Sequence, residues 1–588
     1  MPIEIKYIGT QQRWPELATT GKQSVWMPGQ IEERDDVEAG KLLATGLFKT
    51  EPVALTATLS AQGVVLPDEG GRKAIRSTVP KSFAQCKTFV LGGDSLVQYG
   101  DAWFSLGPYN LVNDGSGTLL IPAPHTMPTG TRVKIVNSKD PYWSQFATIT
   151  RIDANQFTIP LDPRAAATLN STIFPGGLTD RLILLADHEP NRASPFHCLN
   201  AKLGMPWRHV ANIAANGMAC RDMLLRLDDE MAYLAAQHDG LPDAFWGSIG
   251  ANDTRVLAQS VEIGFARVTE YMRRVVEDYG MHFVYQAWHP NDSRDAAAAV
   301  AGKAAIRLNR MVEQWALSQR DVTYMPTHGV ILDPTSTLGH AKAGLLGTDG
   351  VHHLAVAADM EANYLFDLIG NKTVPFRARH LPNSVADCAT NDALSRNKFS
   401  NPLLLTTGGT VGAGGTAGTT PKQVTITTSG ASTFAPRDGD GTYLKPRTVA
   451  NDGDAYGNNL VIRATFAAAG DYLQIDAVGD ATGHSIGDKL RVGCHLKTKL
   501  VSGARPRFVS TYHRPLQDAV QYNRRFLGDG FYVSNPELER DTNEVHLTYP
   551  FPVTGAITGN VMRIYVFAAA AGVVDVEVGR VLFETIPA

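Results

Sequence analysis

Between residues 86 and 369 the chain alternates short apolar runs with long amphipathic segments, and this alternation constrains the fold more than any other feature. The apolar runs are Thr88 to Leu91, Leu182 to Leu185, Ala244 to Ile249, His282 to Ala287 and Val322 to Met325. Between them, segments 222–237, 255–279 and 292–319 space their apolar residues three and four apart, as helices do. Alternating strands and helices predict a doubly wound α/β domain with a parallel sheet, whose ligands bind at the carboxyl ends of the strands.

Three stretches depart from this alternation. Residues 105–180 show period-two patterns and turn residues without a helical segment, which predicts a β module inserted into the α/β domain. Residues 406–420 hold six glycines and few large apolar side chains, which predicts a flexible linker. The last 165 or so residues alternate again, as in Val574, Val576 and Val578, and predict a β-sandwich of jelly-roll type.

We therefore expect a multidomain protein: an α/β doubly wound parallel-sheet core with an inserted β module, a small β-rich N-terminal unit and a C-terminal β-sandwich. The predicted boundaries are 1–60 for the N-terminal unit, 61–85 for a linker, 86–104 and 181–372 for the α/β domain, 105–180 for the insertion, 373–425 for a Gly-rich linker region and 426–588 for the sandwich.

Charge and cysteine usage exclude several functional classes. The chain carries 54 Lys and Arg against 58 Asp and Glu, so no basic excess indicates a nucleic-acid partner. Its five cysteines are widely spaced and form no CxxC, which argues against a zinc cluster or a disulfide framework. The charged N-terminus lacks the apolar stretch of a signal peptide, and no apolar run is long enough to insert into a membrane.

The most informative local motif is Gly92-Gly93-Asp94-Ser95, which directly follows the apolar run that ends at Leu91. A serine at the carboxyl end of a parallel strand lies where such domains place their reactive groups. Taken alone, the motif is better explained by Asp94 or Ser95 capping the next helix.

Three further segments favour the reactive interpretation. Gly217 follows an apolar segment and precedes a helix, so its N–H can point into a cleft; Asn252, after the strand that ends at Ile249, can donate an amide N–H. Asp349 and His352 are three residues apart, a spacing that lets the carboxylate hold one ring nitrogen while the other faces a serine.

In this order, Gly93-Asp94-Ser95, Gly217, Gly250-x-Asn252 and Asp349-x-x-His352 resemble the four sequence blocks of the SGNH hydrolases, also called GDSL esterases. The resemblance implies that Ser95 is the nucleophile, His352 the general base and Asp349 its partner. It also implies an oxyanion hole built from Ser95, Gly217 and Asn252, and a covalent acyl-enzyme mechanism without metal or organic cofactor.

Two departures from the family pattern are visible. Gly217 follows Ser95 by 122 residues, a longer separation than in the family, and the predicted insertion accounts for most of the excess. His353 stands where the family often has proline, which leaves two histidines as candidates for the base, and the spacing from Asp349 favours His352. Besides these residues, His289, Asp94 and His353 are candidates for contact with substrate.

The regions outside the α/β domain suggest a biological setting. The C-terminal unit faintly resembles jelly-roll carbohydrate-binding modules, and segments near the N-terminus resemble small phage structural proteins that dock onto a virion. The combination resembles a bacteriophage tail fibre or tailspike, and it implies a homotrimer located in the virion tail, with host surface polysaccharide and other tail or baseplate proteins as partners. Its expected activity is removal of O-acetyl or N-acetyl groups from that polysaccharide. The alternatives are an inert receptor-binding fibre on a hydrolase scaffold, and a bacterial esterase of lipids or peptidoglycan.

Overall fold

The structure is a computed structural model, and it describes most of the chain beyond residue 192 together with shorter stretches before it. The described residues are 3–7, 14–15, 25–26, 31–34, 48–50, 82–98, 101–108, 112–113, 118–122, 129–130, 132–136, 146–160, 183–190, 192–214, 217–237, 240–255, 257–295, 298–373, 381–382, 397–448, 456–526 and 538–587. The chain divides into two compact units: a first unit of residues 1–98 and 207–352, and a second unit of residues 99–206 and 353–588.

The described elements alternate between strands and helices only in the central part of the chain. Up to residue 325 the strands are β1 (Ile3–Tyr7), β2 (Trp14–Pro15), β3 (Val25–Trp26), β4 (Ile31–Arg34), β5 (Phe48–Thr50), β6 (Thr88–Gly93), β7 (Asp101–Pro108), β8 (Val112–Asn113), β9 (Thr118–Pro122), β10 (Arg132–Val136), β11 (Phe146–Thr148), β12 (Thr150–Arg151), β13 (Gln156–Pro160), β14 (Ile183–Pro190), β15 (Arg208–Asn212), β16 (Ala244–Ser248), β17 (His282–Gln286) and β18 (Val322–Met325). The helices are α1 (Ser95–Gln98), α2 (Pro195–Lys202), α3 (Cys220–Gln237), α4 (Ala251–Arg255), α5 (Val261–Glu277), α6 (Ala298–Leu317), α7 (His328–Ile331) and α8 (Ala355–Thr373).

The first unit is built on a five-stranded parallel sheet with the spatial order β15-β6-β16-β17-β18. Every residue of β16 and β17 is buried, as expected for strands of a parallel sheet that is covered on both faces. The parallel-sheet core predicted from the apolar runs is confirmed, and four of the five runs form its strands. The remaining strand, β15, contains Val210, the apolar residue noted before the Gly217 segment.

The predicted helices are present, with one change. Segments 222–237 and 292–319 correspond to α3 and α6, whereas segment 255–279 is divided between α4 and α5. The division falls at Ser260, whose side-chain oxygen accepts a hydrogen bond from the Ile263 N–H at 3.3 Å and so starts a new helix.

The prediction of a core strand at Leu182 to Leu185 is wrong. Residues 183–185 lie in β14, which pairs antiparallel with β10 and β7 in a four-stranded sheet with the order β11-β10-β14-β7, while residue 182 lies outside the described residues. A second small sheet has the order β12-β13-β9-β8, so the β-rich insertion reaches from about residue 101 to residue 190 rather than from 105 to 180. A run of four apolar residues has no period that distinguishes these two kinds of strand.

The N-terminal segment is rich in strands, as predicted. Strands β4, β1 and β5 form an antiparallel three-stranded sheet, and β2 pairs with β3. Most of the predicted linker 61–85 lies outside the described residues, which resume at residue 82.

The second unit contains a β-sandwich, which confirms the predicted C-terminal all-β region. Its strands are β19 (Thr410–Val411), β20 (Val424–Thr428), β21 (Thr433–Pro436), β22 (Leu444–Pro446), β23 (Asn458–Phe466), β24 (Tyr472–Val478), β25 (Lys489–Gly503), β26 (Pro506–Gln517), β27 (Val520–Gln521), β28 (Arg524–Phe526), β29 (Thr542–Leu547), β30 (Phe551–Pro552), β31 (Ile557–Ala568) and β32 (Gly572–Ile586). One sheet has the order β19-β20-β24-β31-β26-β27 with β28 beside β26, and the other has the order β21-β23-β32-β25-β29 with β22 and β30 attached. Alternate residues of both sheets, such as Ile475, Ile564 and Val576, form one apolar core.

The prediction that residues 406–420 form a flexible linker is wrong. Strand β19 pairs in parallel with β20, and Thr407 and Gly415 form bridges to Pro421 and Phe434. A Cβ atom at Gly415 would overlap the Phe434 ring, so these glycines serve close packing rather than flexibility. Of the wider predicted region 373–425, residues 374–380 and 383–396 lie outside the described part of the chain.

The segment predicted as the second part of the α/β domain, 181–372, is divided between the two units. Helices α2 and α8 belong to the second unit, where Lys202 of α2 binds Asp359 of α8 at 2.8 Å and Glu544 of β29 at 3.1 Å. These buried ion pairs join both helices to the sandwich, which explains why the unit boundary falls between His352 and His353.

Candidate active site

The nucleophile candidate Ser95 lies at a sharp turn that follows β6. Gly93 has a φ of +131°, and a Cβ atom there would overlap the carbonyl oxygen of Ser248 on the neighbouring strand β16, so only glycine fits. Asp94 closes the turn by accepting a hydrogen bond from the Leu96 N–H at 2.9 Å. Ser95, which is 8% exposed, begins α1, where its backbone N–H is not used by the helix.

The two other oxyanion candidates follow the strands on either side of β6. In the parallel register Asn212 lies beside Leu91 and Ser248 beside Gly93, so β15, β6 and β16 end at the same edge of the sheet. Gly217 follows β15 and Asn252 follows β16. The Asn252 amide nitrogen donates to the carbonyl of Met218 at 3.0 Å, which ties Asn252 to the Gly217 loop and leaves its second N–H for another acceptor.

Asp349 and His352 form a hydrogen-bonded pair. His352 Nδ1 lies 2.5 Å from Asp349 Oδ2, while Asp349 Oδ1 accepts hydrogen bonds from the backbone N–H groups of Val351 at 2.9 Å and His352 at 3.2 Å. The carboxylate therefore fixes both the ring and the backbone that carries it. The His352 side chain is 13% exposed and the Asp349 side chain 34%, so the pair lies at the edge of the solvent.

The loop after β17 holds the segment that carries this pair. The Asp292 N–H donates to the Gly350 carbonyl at 2.9 Å, and the Ala341 N–H donates to the Asn291 carbonyl at 3.0 Å. Gly350, between Asp349 and His352, has a φ of +71°, and a Cβ atom there would overlap Asp292 Oδ1. Close backbone contact therefore sets the position of the Asp349–His352 pair.

Arg255 connects the Asn252 helix to this loop. It lies at the end of α4, one turn after Asn252, and its Nη2 and Nε bind the two carboxylate oxygens of Asp295 at 2.8 and 3.1 Å. Asn291 donates to the same carboxylate at 2.7 Å. The Asp295 hydrogen bond raises the pKa of Arg255, and nearby Asp349 and Asp94 act in the same direction. Arg255 thus lies within the electrostatic reach of both the nucleophile turn and the Asp349–His352 pair.

Asp94 is buried within this charged neighbourhood. Burial raises its pKa to about 7, against the opposing effect of the Leu96 hydrogen bond, and the charge of Asp253 raises it further. Among the described residues its Oδ2 atom has no hydrogen-bond partner, as suits a carboxyl that holds a proton near neutral pH.

The two other predicted histidines are buried with partners of their own. His353, the second histidine, belongs to the second unit and is buried there with its Nε2 3.1 Å from Glu361 Oε1. His289 is buried, and its Nδ1 lies 3.0 Å from the Pro290 carbonyl oxygen. Neither arrangement presents the ring as a substrate contact, and Asp94 contributes through the turn rather than through an exposed carboxylate.

Sequence reasoning missed Arg255 and Asp295. The sequence predicts only helix at Arg255, and of the loop after β17 it singles out only His289. Their roles depend on a contact between residues 40 positions apart, for which a single sequence holds no signal.

The described part of the chain offers neither a metal site nor a membrane-spanning helix. No three His, Cys, Asp or Glu side chains converge there in an arrangement that would hold a metal ion. None of the helices described combines the length and the apolarity needed to cross a bilayer.

Comparisons with known proteins give the following. No family model matches the chain, and no curated protein matches it. Among solved structures it is similar to a GDSL-like lipase from Bacteroides thetaiotaomicron, with 14% identity, 28% of this chain and 76% of that chain covered and a TM-score of 0.23. It is similar to a peptidoglycan O-acetylesterase, with 11% identity, 51% and 95% covered and a TM-score of 0.23.

A phage protein is also among the similar structures. It is the enzymatically active domain of tailspike protein 4 of bacteriophage CBA120, with 11% identity and a TM-score of 0.18; the match covers 28% of this chain and 20% of that domain. Likenesses at this level of identity and TM-score do not transfer chemistry. The chemistry of this chain is therefore inferred from its own residues: a strand-end serine, two loops with available N–H donors and a hydrogen-bonded Asp–His pair, all in one compact unit.

Proposed function

We propose that the chain is a serine esterase that removes O-acetyl or N-acetyl groups from a host cell-surface polysaccharide. The observation that carries the proposal is the Asp349–His352 pair, 2.5 Å apart and held by close backbone contact, in the same unit as a serine at the carboxyl end of a parallel strand. A serine hydroxyl is a weak nucleophile until a base removes its proton, and this pair supplies an oriented base.

Acylation begins when Ser95 Oγ attacks the carbonyl carbon of the acetyl group. His352 Nε2 accepts the hydroxyl proton, and Asp349, bound to Nδ1, holds the ring in the tautomer whose Nε2 carries no proton and can therefore accept one. The same carboxylate stabilises the imidazolium that forms. Because Asp349 accepts two backbone N–H groups as well, it keeps this orientation through the step.

The attack places a negative charge on the former carbonyl oxygen. The Ser95 N–H, the Gly217 N–H and the second N–H of Asn252 are the donors proposed for it, and losing one such donor typically lowers kcat by about 10²–10³. Collapse of the intermediate expels the sugar oxygen or nitrogen, which takes the proton from His352. Water, deprotonated by His352, then attacks the acetyl-Ser95 ester and releases acetate.

Turnover of p-nitrophenyl acetate tests the assignment. Ser95→Ala should lower kcat by about 10³ or more, whereas Ser318→Ala, an exposed serine bonded to the Trp315 carbonyl at the end of α6, should leave it unchanged. Equal activity of wild type and Ser95→Ala would overturn the triad.

Release of acetate from acetylated polysaccharide, compared with release of long acyl chains from lipid, tests the substrate class, and a preference for long chains would contradict a polysaccharide substrate.

We further propose that the enzyme acts in the tail of a phage particle, as a homotrimer bound to other tail or baseplate proteins. A strand-rich N-terminal segment and a sandwich of two sheets are more than an esterase requires, and they suit attachment and receptor contact. Light scattering should give about three times the chain mass of 63.5 kDa. A monomer, or absence of the chain from purified particles in mass spectrometry, would contradict this part of the proposal.

A further inference from the structure

One face of the β-sandwich carries an ordered group of aromatic side chains that point away from its core. Along β24 and β31 every second residue is buried in the core, and the residues between them are half-buried on the opposite face. The register places Tyr472 beside Phe567, and it places Tyr512 of β26 beside Arg563. We call Tyr472, Tyr512, Tyr565 and Phe567 the aromatic face.

The rings of the aromatic face pack against one another. The Tyr565 ring centroid lies 5.1 Å from that of Tyr472 and 5.4 Å from that of Tyr512, and both pairs are nearly perpendicular. Phe567 lies 5.5 Å from Tyr472 and 5.2 Å from Tyr565. Edge-to-face contacts of this kind fix the rotamers, so little side-chain entropy is lost when a ligand binds.

Charged groups lie among these rings. Arg563 binds the two carboxylate oxygens of Asp476 at 2.6 and 2.7 Å, and its guanidinium is 5.8 Å from the Tyr565 ring centroid. The guanidinium of Arg525 is 5.2 Å from the Tyr512 ring centroid, and Gln474 donates to Asp476 at 2.9 Å. The guanidinium of Arg507 lies over the Phe567 ring, 5.3 Å from its centroid. Three guanidinium groups therefore lie among the rings, and one of them is paired with Asp476.

We infer that the aromatic face binds a carboxylated polysaccharide. Ring faces accept the C–H surface of a sugar, and guanidinium groups form paired hydrogen bonds with carboxylates. Among the described side chains of this face guanidinium groups outnumber carboxylates, which favours an anionic chain. Tyr, Phe and Arg are enriched in protein interfaces as well, so the choice of a polysaccharide over a protein partner rests on the proposed function.

This inference rests on the proposed function for the class of macromolecule and adds a second, non-catalytic site for it. On a strand, Arg563 and Phe567 are about 13 Å apart, a span that suits a stretch of polysaccharide rather than a single sugar. A chain bound here would keep the enzyme on a polymer between successive deacetylation events, since binding would not depend on the ester that is removed.

The full-length chain with Ser95→Ala provides the test, because it retains the sandwich and cannot turn over substrate. Affinity electrophoresis in gels that contain polygalacturonate, alginate, hyaluronate or neutral dextran measures binding. We expect retardation by at least one of the three carboxylated polymers and not by dextran. Adding Tyr565→Ala or Tyr512→Ala should weaken the affinity for that polymer about tenfold or more. Tyr565→Phe, which keeps the ring, should retain binding. Tyr456→Ala, at a tyrosine that is 54% exposed and lies two residues before β23, should leave binding unchanged.

The outcomes separate this inference from the esterase assignment. Retardation by none of the carboxylated polymers, or equal retardation of Tyr565→Ala and its parent, would overturn the inference, while esterase activity of the wild type would be unaffected. Dextran binding equal to that of the acidic polymers would contradict the carboxylate preference. If Tyr512→Ala and Tyr565→Ala instead dissociate an oligomer in sedimentation velocity, the aromatic face is a protein interface and the inference fails. Thermal unfolding at the parent temperature shows that the variants remain folded.

Discussion

Asp94 at the nucleophile turn and Glu544 in the sandwich are both almost fully buried carboxyl groups, yet their surroundings shift their pKa values in opposite directions. Asp94 accepts one backbone N–H, and burial raises its pKa to about 7 although the charge of Arg255 acts in the opposite direction. Burial alone would raise the pKa of Glu544 as well, but Arg192 and Lys202 hold it well below its ordinary value. Direct contact with two cations therefore offsets the burial of Glu544, whereas the burial of Asp94 is not offset in this way.

The two regions should therefore respond differently to substitution. Around Glu544, every partner is buried: Arg192 and Lys202 bind its two oxygens at 3.2 and 3.1 Å, and His546 Nε2 is also 3.1 Å away. Around the catalytic edge, the Arg255 and Asp349 side chains are partly exposed, at 27% and 34%. We expect changes in the first group to reduce stability and changes in the second to reduce turnover.

The largest effect should come from Glu544→Gln. The substitution leaves Arg192 buried without a carboxylate, and removing one partner of a buried pair costs about 3–5 kcal/mol. Urea unfolding of the full chain measures the loss in the free energy of unfolding. Asp367→Asn is the matched control, because Asp367 pairs with Arg540 on the surface and should cost less than about 1 kcal/mol. Equal effects of the two variants would remove the distinction between the regions.

The next effect is on turnover. Asn252→Ala should lower kcat by about 10²–10³ by removing an oxyanion donor, with only a small loss of stability. The Asn252 hydrogen bond to Met218 also positions the Gly217 loop, so both donors are affected. Steady-state kinetics with p-nitrophenyl acetate, together with urea unfolding, measures the two quantities. A stability loss as large as that of Glu544→Gln, or an unchanged kcat, would contradict the assignment.

Arg255 should have a smaller, purely positional effect. Because it ties the Asn252 helix to the loop that holds Gly350, Arg255→Gln should lower kcat about tenfold, equivalent to about 1.4 kcal/mol, with KM unchanged. Asp295→Asn should do the same, and the double variant should be no worse than either single one. Arg273→Gln on α5, where Arg273 pairs with Glu270 and Glu277, is the control. Additive effects, or a change in KM alone, would show that the pair does not position the Asp349–His352 segment.

Much of the catalytic region was predictable because its signals are local. Strands buried on both faces appear as continuous apolar runs, and the Asp349 to His352 spacing lies within one loop. The burial of Glu544 was not predictable. Alternation along β29 would leave Glu544 exposed, because the neighbouring Val545 is buried on the opposite face, and the partners Lys202 and Arg192 are 342 and 352 residues away in sequence. The prediction of a flexible linker at residues 406–420 was wrong for the same reason. Gly415 packs against Phe434, and this contact forms only when the sheets assemble.

A further contrast distinguishes the two carboxyls by pH. Because the folded-state pKa of Asp94 is raised from about 3.8 to about 7, the folded protein holds a proton that the unfolded chain releases. The contribution of Asp94 to stability is therefore fully present below about pH 4 and is lost as the pH rises to about 7. Asp94→Asn keeps an acceptor for the Leu96 N–H but does not titrate, so its thermal midpoint should fall less than that of the wild type between pH 4.5 and pH 8. Glu544, whose pKa is lowered, stabilises the fold above its unfolded pKa and cannot produce a loss in this window. Parallel pH profiles for wild type and Asp94→Asn would show that Asp94 is ionised in the folded protein, and the contrast between the two regions would then rest on Glu544 alone.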